Sequence, residues 1–179
     1  SHFWLCHRRN IVLNTVIKHL DPGQSFLDVG AGACDIAVSL RAAGLDVSLA
    51  DIQTKGLEYG LQRGFEKLYS FDLHQPMFYE HFSAVGAFDV IEHLENDAAA
   101  VSSMLKMTKP GGYVFSTVPA FSKLWNNHDV MERHKRRYSA RQLQSLFLGQ
   151  GAEIISCKYL FFSIFPLLVA RALYGKVFP

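Results

Sequence analysis

The stretch FLDVGAGACDIAVSL, Phe26 to Leu40, joins a hydrophobic run, an acid, two glycines one residue apart and then a helical pattern. It reads as a strand handing over to a helix through a turn. Two glycines so close together at such a junction bring backbone against a ligand, because a side chain there would block the approach. Outward from this turn, from Ser25 onward, apolar runs of strand length alternate with helix-length periodic segments, the pattern of a parallel sheet covered by helices. Strands are expected at residues 25–29, 46–50, 67–71, 83–88, 112–118 and 152–159.

The connections have signals of their own. Ile36, Leu40 and Ala43 recur at helical spacing and Gly44 closes that helix. A helix over 97–107 stops before KPGG, residues 109–112, where proline and two glycines predict a turn into the fifth strand. Ser139, with Gln142 three residues later, forms a capping box that opens the next helix, and Gly149 and Gly151 end it. Before the first strand, residues 4–20 read as an amphipathic helix stopped by DPG, residues 21–23.

At 179 residues, 49% hydrophobic and 19% charged, the chain has the composition of one globular domain. Within that domain, 1–24 form an N-terminal helical segment, 119–138 a substrate loop or lid, and 159–179 a hydrophobic C-terminal segment. The net charge of +2 is too small for a bulk nucleic-acid footprint, so no nucleic-acid partner is expected, but Arg133, Lys135, Arg136 and Arg137 cluster around His134. Cys6, Cys34 and Cys157 are scattered and indicate neither a disulfide framework nor a zinc site, and no secretory leader opens the chain at Ser1, so a reducing cytoplasm is the expected compartment. The run YLFFSIFPLLVA, 159–170, is broken by Pro166 and falls short of the ~20 residues of a spanning helix. It reads as an edge strand and packing helix, with peripheral membrane or lipid contact as the alternative.

In an open parallel sheet, ligands collect beyond the carboxyl ends of the strands where the strand order reverses. Acids close four otherwise apolar strands here: Asp28 with Gly30 and Gly32, then Asp51, then Asp72, then Asp89 followed by Glu92 and His93. Asp51, 21 residues after Gly30, stands where an acid accepts both hydroxyls of an adenosine ribose, which suits NAD as well as S-adenosylmethionine. The dinucleotide fingerprint needs a third glycine or alanine where this chain has Asp35, whose carboxylate would repel a diphosphate. Asp28 points the same way, since an acid suits a cationic amino group better than a pyrophosphate.

The ordered set HFWLCHRRN, FLDVGAGACD, VSLADI, FDL, FDVIEHLEN, LKMTKPGGYVFSTVPA and HDVMERHKRRYSARQL resembles the class I S-adenosylmethionine-dependent methyltransferases over nearly the whole chain. The resemblance implies a Rossmann-like, doubly wound, mostly parallel sheet, with Cys34 where the family has its third loop glycine. It implies that Asp28 serves the methionine amino group of S-adenosylmethionine, that Gly30 and Gly32 let the loop pass beneath it, and that Asp51 takes the ribose hydroxyls. By the same resemblance, Ile52 packs on adenine, Asp72 accepts from its amino group, and the Phe88 to Asp89 backbone lies beside the methionine moiety. The family closes its sheet with a seventh, antiparallel strand. Past Tyr159 this sequence reads as helical, so that strand is expected to be missing or remodelled.

The sulfonium methyl is already activated, so transfer is an in-line displacement in which the protein mainly aligns the reactants. Where an acceptor proton must leave, His93 and His128 are the candidates for catalytic aid, with His134 nearby. Arg136 and Arg137, with His134 and Tyr138, are expected to hold an anionic group of a small-molecule acceptor while Trp125 covers an apolar part, which points to an amphiphilic, anionic or quinone-like acceptor. The acids and histidines after the fifth strand show no compact ligand spacing, so no metal is expected. The competing readings are an NAD-linked oxidoreductase and an inactive cofactor-binding relic that serves as a partner protein.

Overall fold

The computed structural model describes residues 3–160. Its centre is a five-stranded, wholly parallel sheet of β1 (Ser25–Val29), β2 (Asp46–Ala50), β3 (Leu68–Tyr69), β4 (Phe82–Phe88) and β5 (Thr108–Thr117) in the order β3-β2-β1-β4-β5. The chain therefore winds outward from β1 through β2 to β3, then returns to the other side of β1 for β4. That reversal places the topological switch point between the carboxyl ends of β1 and β4.

Strand alternation divides the core. Phe26, Val47, Leu49, Ala84 and Phe88 face a layer containing α1 (Phe3–Val16) and α2 (Asp35–Ala42). Leu27, Val29, Ala50, Val85 and Ala87 face the opposite layer, with α4 (Asp97–Met107) and α6 (Ala140–Leu148). The short α3 (Thr54–Gln62) leads into β3, and α5 (Asn127–Met131) sits in the long connection between β5 and α6. The doubly wound architecture expected from the alternation of segments is the one observed.

Where local chemistry sets an end, sequence and structure agree. Asn96 caps α4 by accepting from Ala99 N at 3.0 Å, and the Ser139 capping box is complete, Ser139 Oγ accepting from Gln142 N (3.3 Å) and Gln142 Oε1 from Ser139 N (2.9 Å).

The structure corrects four expectations. KPGG does not make a turn that precedes β5 but lies within the strand: Thr108 already pairs with Phe82 and Tyr113 with Ala84, so residues 109–112 bulge out opposite Ser83. β3 shortens to two residues. Residues 152–159 form no sixth strand; Tyr159 instead turns toward α6, its hydroxyl accepting from Ala140 N at 3.0 Å and its ring stacked 4.7 Å from Phe121. The N-terminal helix is amphipathic only in its second half, where Val12 and Val16 enter the core, while Arg8 in the first half reaches Asp89. The segment beyond Leu160, and with it the expected C-terminal helix and membrane contact, lies outside the described residues. Among the described residues no helix is long and apolar enough to cross a membrane.

Candidate active site

Asp28 lies in the central strand between Leu49 and Gly86, one residue before the sheet's carboxyl edge. It is 2% exposed, and burial, followed by the nearby Asp51 charge, pushes its carboxyl up to about 7 against the pull of Arg8. A carboxyl so placed gains most from a bound cation, which would restore its charge. The turn above it is built for close approach. Gly30 has φ +68, and a Cβ there would stand 2.5 Å from Val90 Cγ2; Gly32 follows at φ +49, where a Cβ would touch Gly30 O at an ordinary 3.9 Å.

Cys34 sits at φ 62 and ψ 19, the left-handed conformation that favours glycine and explains why the family prefers glycine there. Its thiol turns away from the crevice into the core, where Sγ donates weakly to the carbonyls of Gly32 (3.5 Å) and Gly56 (3.7 Å). Burial raises its pKa to about 11, so it is a packed thiol.

Asp51 ends β2 with both oxygens oriented by backbone: Oδ1 accepts from Gln53 N at 2.8 Å, and Oδ2 accepts at 3.4 Å from Gly32 N, across the crevice. Gly56 in α3 is what lets this carboxylate settle, since a Cβ there would lie 2.4 Å from Oδ2. Next to it, Ile52 is 65% exposed, an apolar wall presented to solvent. Asp72 Oδ1 accepts from His74 N at 2.9 Å and pairs with His74 Nδ1 at 2.8 Å, and the backbone bond, then the side-chain bond, hold its carboxyl below the usual range. His74, which the motif reading passed over, also reaches Asn96 O through Nε2 at 3.1 Å.

On the other side of the switch point the Phe88 ring is core, stacked 6.4 Å from Phe26, while Asp89 stands at φ +58. Two partners hold Asp89: Thr117 Oγ1 donates to Oδ1 at 2.9 Å, and Arg8 of α1 pairs with Oδ2. Sequence reasoning missed both, because they come from elements 28 and 81 residues away.

The expected acceptor residues divide. Glu92 and His93 lie in a 3₁₀ turn, Ile91–His93, and the His93 and His134 rings meet edge-on at 4.7 Å. Burial, then His134, lowers the His93 pKa and keeps the imidazole neutral. His128 is exposed on α5, its ring 6.4 Å from His134, and Trp125 is exposed just before that helix. The other expected cations are engaged within the chain. Arg137 forks onto buried Asp129, Nε to Oδ1 at 2.6 Å and Nη2 to Oδ2 at 2.8 Å. Arg136 pairs with Asp97 at 3.0 Å and donates to the carbonyls of Leu94 and Glu95. Tyr138 is buried, its hydroxyl donating to Asp97 Oδ2 at 2.8 Å. These three pin the loop, and with Asp97, Ser139, Arg141 and Gln142 they also line an open cavity of about 570 Å³. The fold also gathers Glu92, His93 and His134, each offering a ligand atom, within 4.8 Å of one another, a cluster that local spacing could not reveal.

Buried Asp28, the glycine turn beside it and the Asp51 carboxylate across the crevice are chemically compatible with the amino acid and ribose ends of the cofactor that the motifs imply. Comparison with known proteins agrees. A family model described as a methyltransferase domain matches residues 7–157. The chain is 30% identical over 130 residues to a ubiquinone biosynthesis O-methyltransferase of Proteus mirabilis, an alignment covering 66% of this chain and 53% of that one. It is 31% identical over 106 residues to the protein of that name from Aromatoleum aromaticum, covering 52% of this chain and 43% of that one. The chain thus spans about half the length of these curated relatives. Among solved structures, phosphoethanolamine N-methyltransferase 2 of Haemonchus contortus, in complex with S-adenosyl-L-methionine, superposes with TM-score 0.71 at 19% identity, covering 95% of this chain and 42% of that one. The [4+2]-cyclase SpnF superposes with TM-score 0.68 at 18% identity, covering 93% and 66%, so likeness at this level speaks for the fold alone. The family match, in contrast, runs from His7 to Cys157 through every strand of the sheet and every acid at its carboxyl edge, and the chain belongs to the methyltransferase domain family.

Proposed function

We propose that the protein binds S-adenosylmethionine at the β1–β4 switch point and transfers its methyl group to a hydroxyl oxygen of an amphiphilic, aromatic small molecule. The observation that carries the cofactor half is Asp28, a carboxyl buried at the end of the central strand just before the positive-φ Gly30–Gly32 turn, where burial disfavours its charge and a bound ammonium would offset that cost. Asp28 would hold the cofactor's ammonium, Asp51 its ribose hydroxyls, Ile52 the adenine face and Asp72 the adenine amino group. Asp35 at the first turn of α2 speaks against a diphosphate there and so against the nicotinamide reading. When bound, the cofactor supplies an activated sulfonium methyl. The chain's own contribution is alignment: Asp89, fixed by Arg8 and Thr117, and the neutral imidazole of His93 set the edge along which an acceptor is oriented.

The oxygen acceptor is supported by the names of the curated relatives, and the apolar portion by exposed Trp125, Val130 and Met131 on the loop beside the histidines. Two measurements test the reading. Calorimetry should show S-adenosylmethionine and S-adenosylhomocysteine binding with similar affinity, since the named residues contact parts the two share. Incubation with isotopically labelled cofactor should label a prenylated catechol and leave an amine analogue of equal size unlabelled. NADH binding in place of S-adenosylmethionine would overturn the cofactor, and preferential labelling of the amine would overturn the acceptor.

A further inference from the structure

Glu92 poses a problem that the cofactor pocket does not solve. Its side chain is wholly buried, and neither Oε1 nor Oε2 has a hydrogen-bond partner. A buried carboxyl normally ends on a donor. Arg8, whose charge is felt at Glu92, is already committed to Asp89. What does stand beside Glu92 is a pair of imidazoles, His93 next in sequence and His134 from the far end of the loop, with ligand-capable atoms of all three within 4.8 Å of one another.

The backbone keeps this meeting in register. Lys135 N donates to Glu92 O at 2.8 Å, and His134 N donates to Asp129 O at 2.8 Å, so His134 is held on both sides. Asp129 Oδ1 also pairs with His134 Nδ1 at 2.9 Å. That bond places the proton on Nδ1 and leaves the Nε2 lone pair free, the arrangement by which carboxylates orient metal-binding histidines. Arg137, clamped on Asp129, fixes the carboxylate in turn.

We propose that Glu92, His93 and His134 form a binding site for one divalent transition-metal ion at the acceptor side of the crevice. Two imidazoles and a carboxylate suit zinc or manganese better than calcium or magnesium, which favour all-oxygen sites. Tetrahedral ligands at ~2.05 Å lie roughly 3.3 Å apart, so the three atoms would draw in on the ion. Three protein ligands leave a position open. On the methyl-transfer reading, an acceptor hydroxyl fills it, loses its proton to water more readily there, and attacks the cofactor's methyl carbon as the carbon–sulfur bond breaks. This role rests on the proposed function, whereas ion binding does not.

The test uses the whole chain, freed of metal with a chelator and dialysed. Titration with zinc, followed by calorimetry, and with manganese, followed by loss of the free-ion spin-resonance signal, should each show one equivalent bound. Glu92→Gln, nearly isosteric with the protonated acid, and His134→Ala should each raise Kd at least tenfold while S-adenosylmethionine affinity and far-ultraviolet circular dichroism stay unchanged. His93→Gln is a second variant should either fail to fold. No binding, or equal binding by wild type and variants, overturns the site. Ion binding that the variants lose, in a protein that methylates nothing, would leave the site standing and strike the functional reading. Methyl transfer unchanged in rate by chelation and by Glu92→Gln overturns the ion's role at the acceptor.

Discussion

Cys34 holds a left-handed backbone at φ 62 while its side chain is 1% exposed, so two effects oppose each other at one residue. The conformation costs an L-residue ~1–2 kcal/mol, and the buried thiol repays part of that by packing. Cys34→Ala keeps the strain and loses the packing, whereas Cys34→Gly loses the packing and relieves the strain. In urea unfolding, the glycine variant should therefore be more stable than the alanine variant by about 1 kcal/mol, the reverse of their usual order. Asp28 sets a second opposition. Its folded-state pKa, raised from 3.8 to about 7, means that the ligand-free fold prefers the protonated acid. The stability this preference gives is complete below about pH 4, is lost as pH rises toward 7, and stays lost above. Asp28→Asn should thus stabilise the ligand-free protein at pH 8 and weaken S-adenosylmethionine binding there by about 1.5–3 kcal/mol, the worth of hydrogen bonds to a charged group. In wild type, affinity should fall as pH drops below about 7, because cofactor binding then has to expel a proton, and the asparagine variant should lack that slope. A variant that loses stability and affinity together would make Asp28 a structural residue.

At the scale of elements, the long connection between β5 and α6 is closed at its base and clamped at its middle. Phe121 N donates to Tyr138 O (3.0 Å) and Tyr138 N to Pro119 O (2.9 Å), while wholly buried Asp129 accepts from Arg137 and His134. Burial alone would raise the Asp129 carboxyl, but these bonds bring it down to about 2. Removing one partner strands the other's charge, so Arg137→Ala should cost about 3–5 kcal/mol in unfolding free energy, read from the urea midpoint at constant slope. A cost under 1 kcal/mol would return Arg137 to a solvated cation, free to meet the acceptor as its position in a basic run first indicates. The same loop shows what the sequence tells and withholds. The α4 and α6 boundaries were legible because caps at Asn96 and Ser139 are decided within four residues. The acids at the strand ends were legible because each closes its own apolar run. Arg8 on Asp89, His134 beside Glu92, and the absence of a strand at 152–159 are decided by contacts between distant segments, and no local period encodes them.

Across the whole molecule, burial is graded from the centre of the sheet outward. β1 and β4 contribute Phe26, Leu27, Ala84, Val85 and Ala87, all fully buried, and α4 adds Val101 and Met104. α1 is attached differently: Val12 and Val16 anchor its second half in the core, whereas the first half is held at the crevice by the Arg8–Asp89 pair, which is partly open to solvent. An ion pair of that kind is worth at most ~1 kcal/mol, far less than the apolar burial that secures β1. Amide hydrogen exchange should therefore resolve two tiers, with residues 5–11 opening early and β1 and β4 exchanging only through global unfolding. Arg8→Ala should speed exchange in residues 5–11 severalfold and leave the β1 and β4 amides unchanged, since its partner ends a strand rather than supports one. Adding S-adenosylmethionine should then slow exchange both at the Gly30–Cys34 turn and along residues 5–11, because Arg8 lies in the field of Asp28 as well as on Asp89, and a cation bound at Asp28 redistributes both pairs. Protection confined to the turn would show that α1 takes no part in closing the site, and that Arg8 serves Asp89 alone.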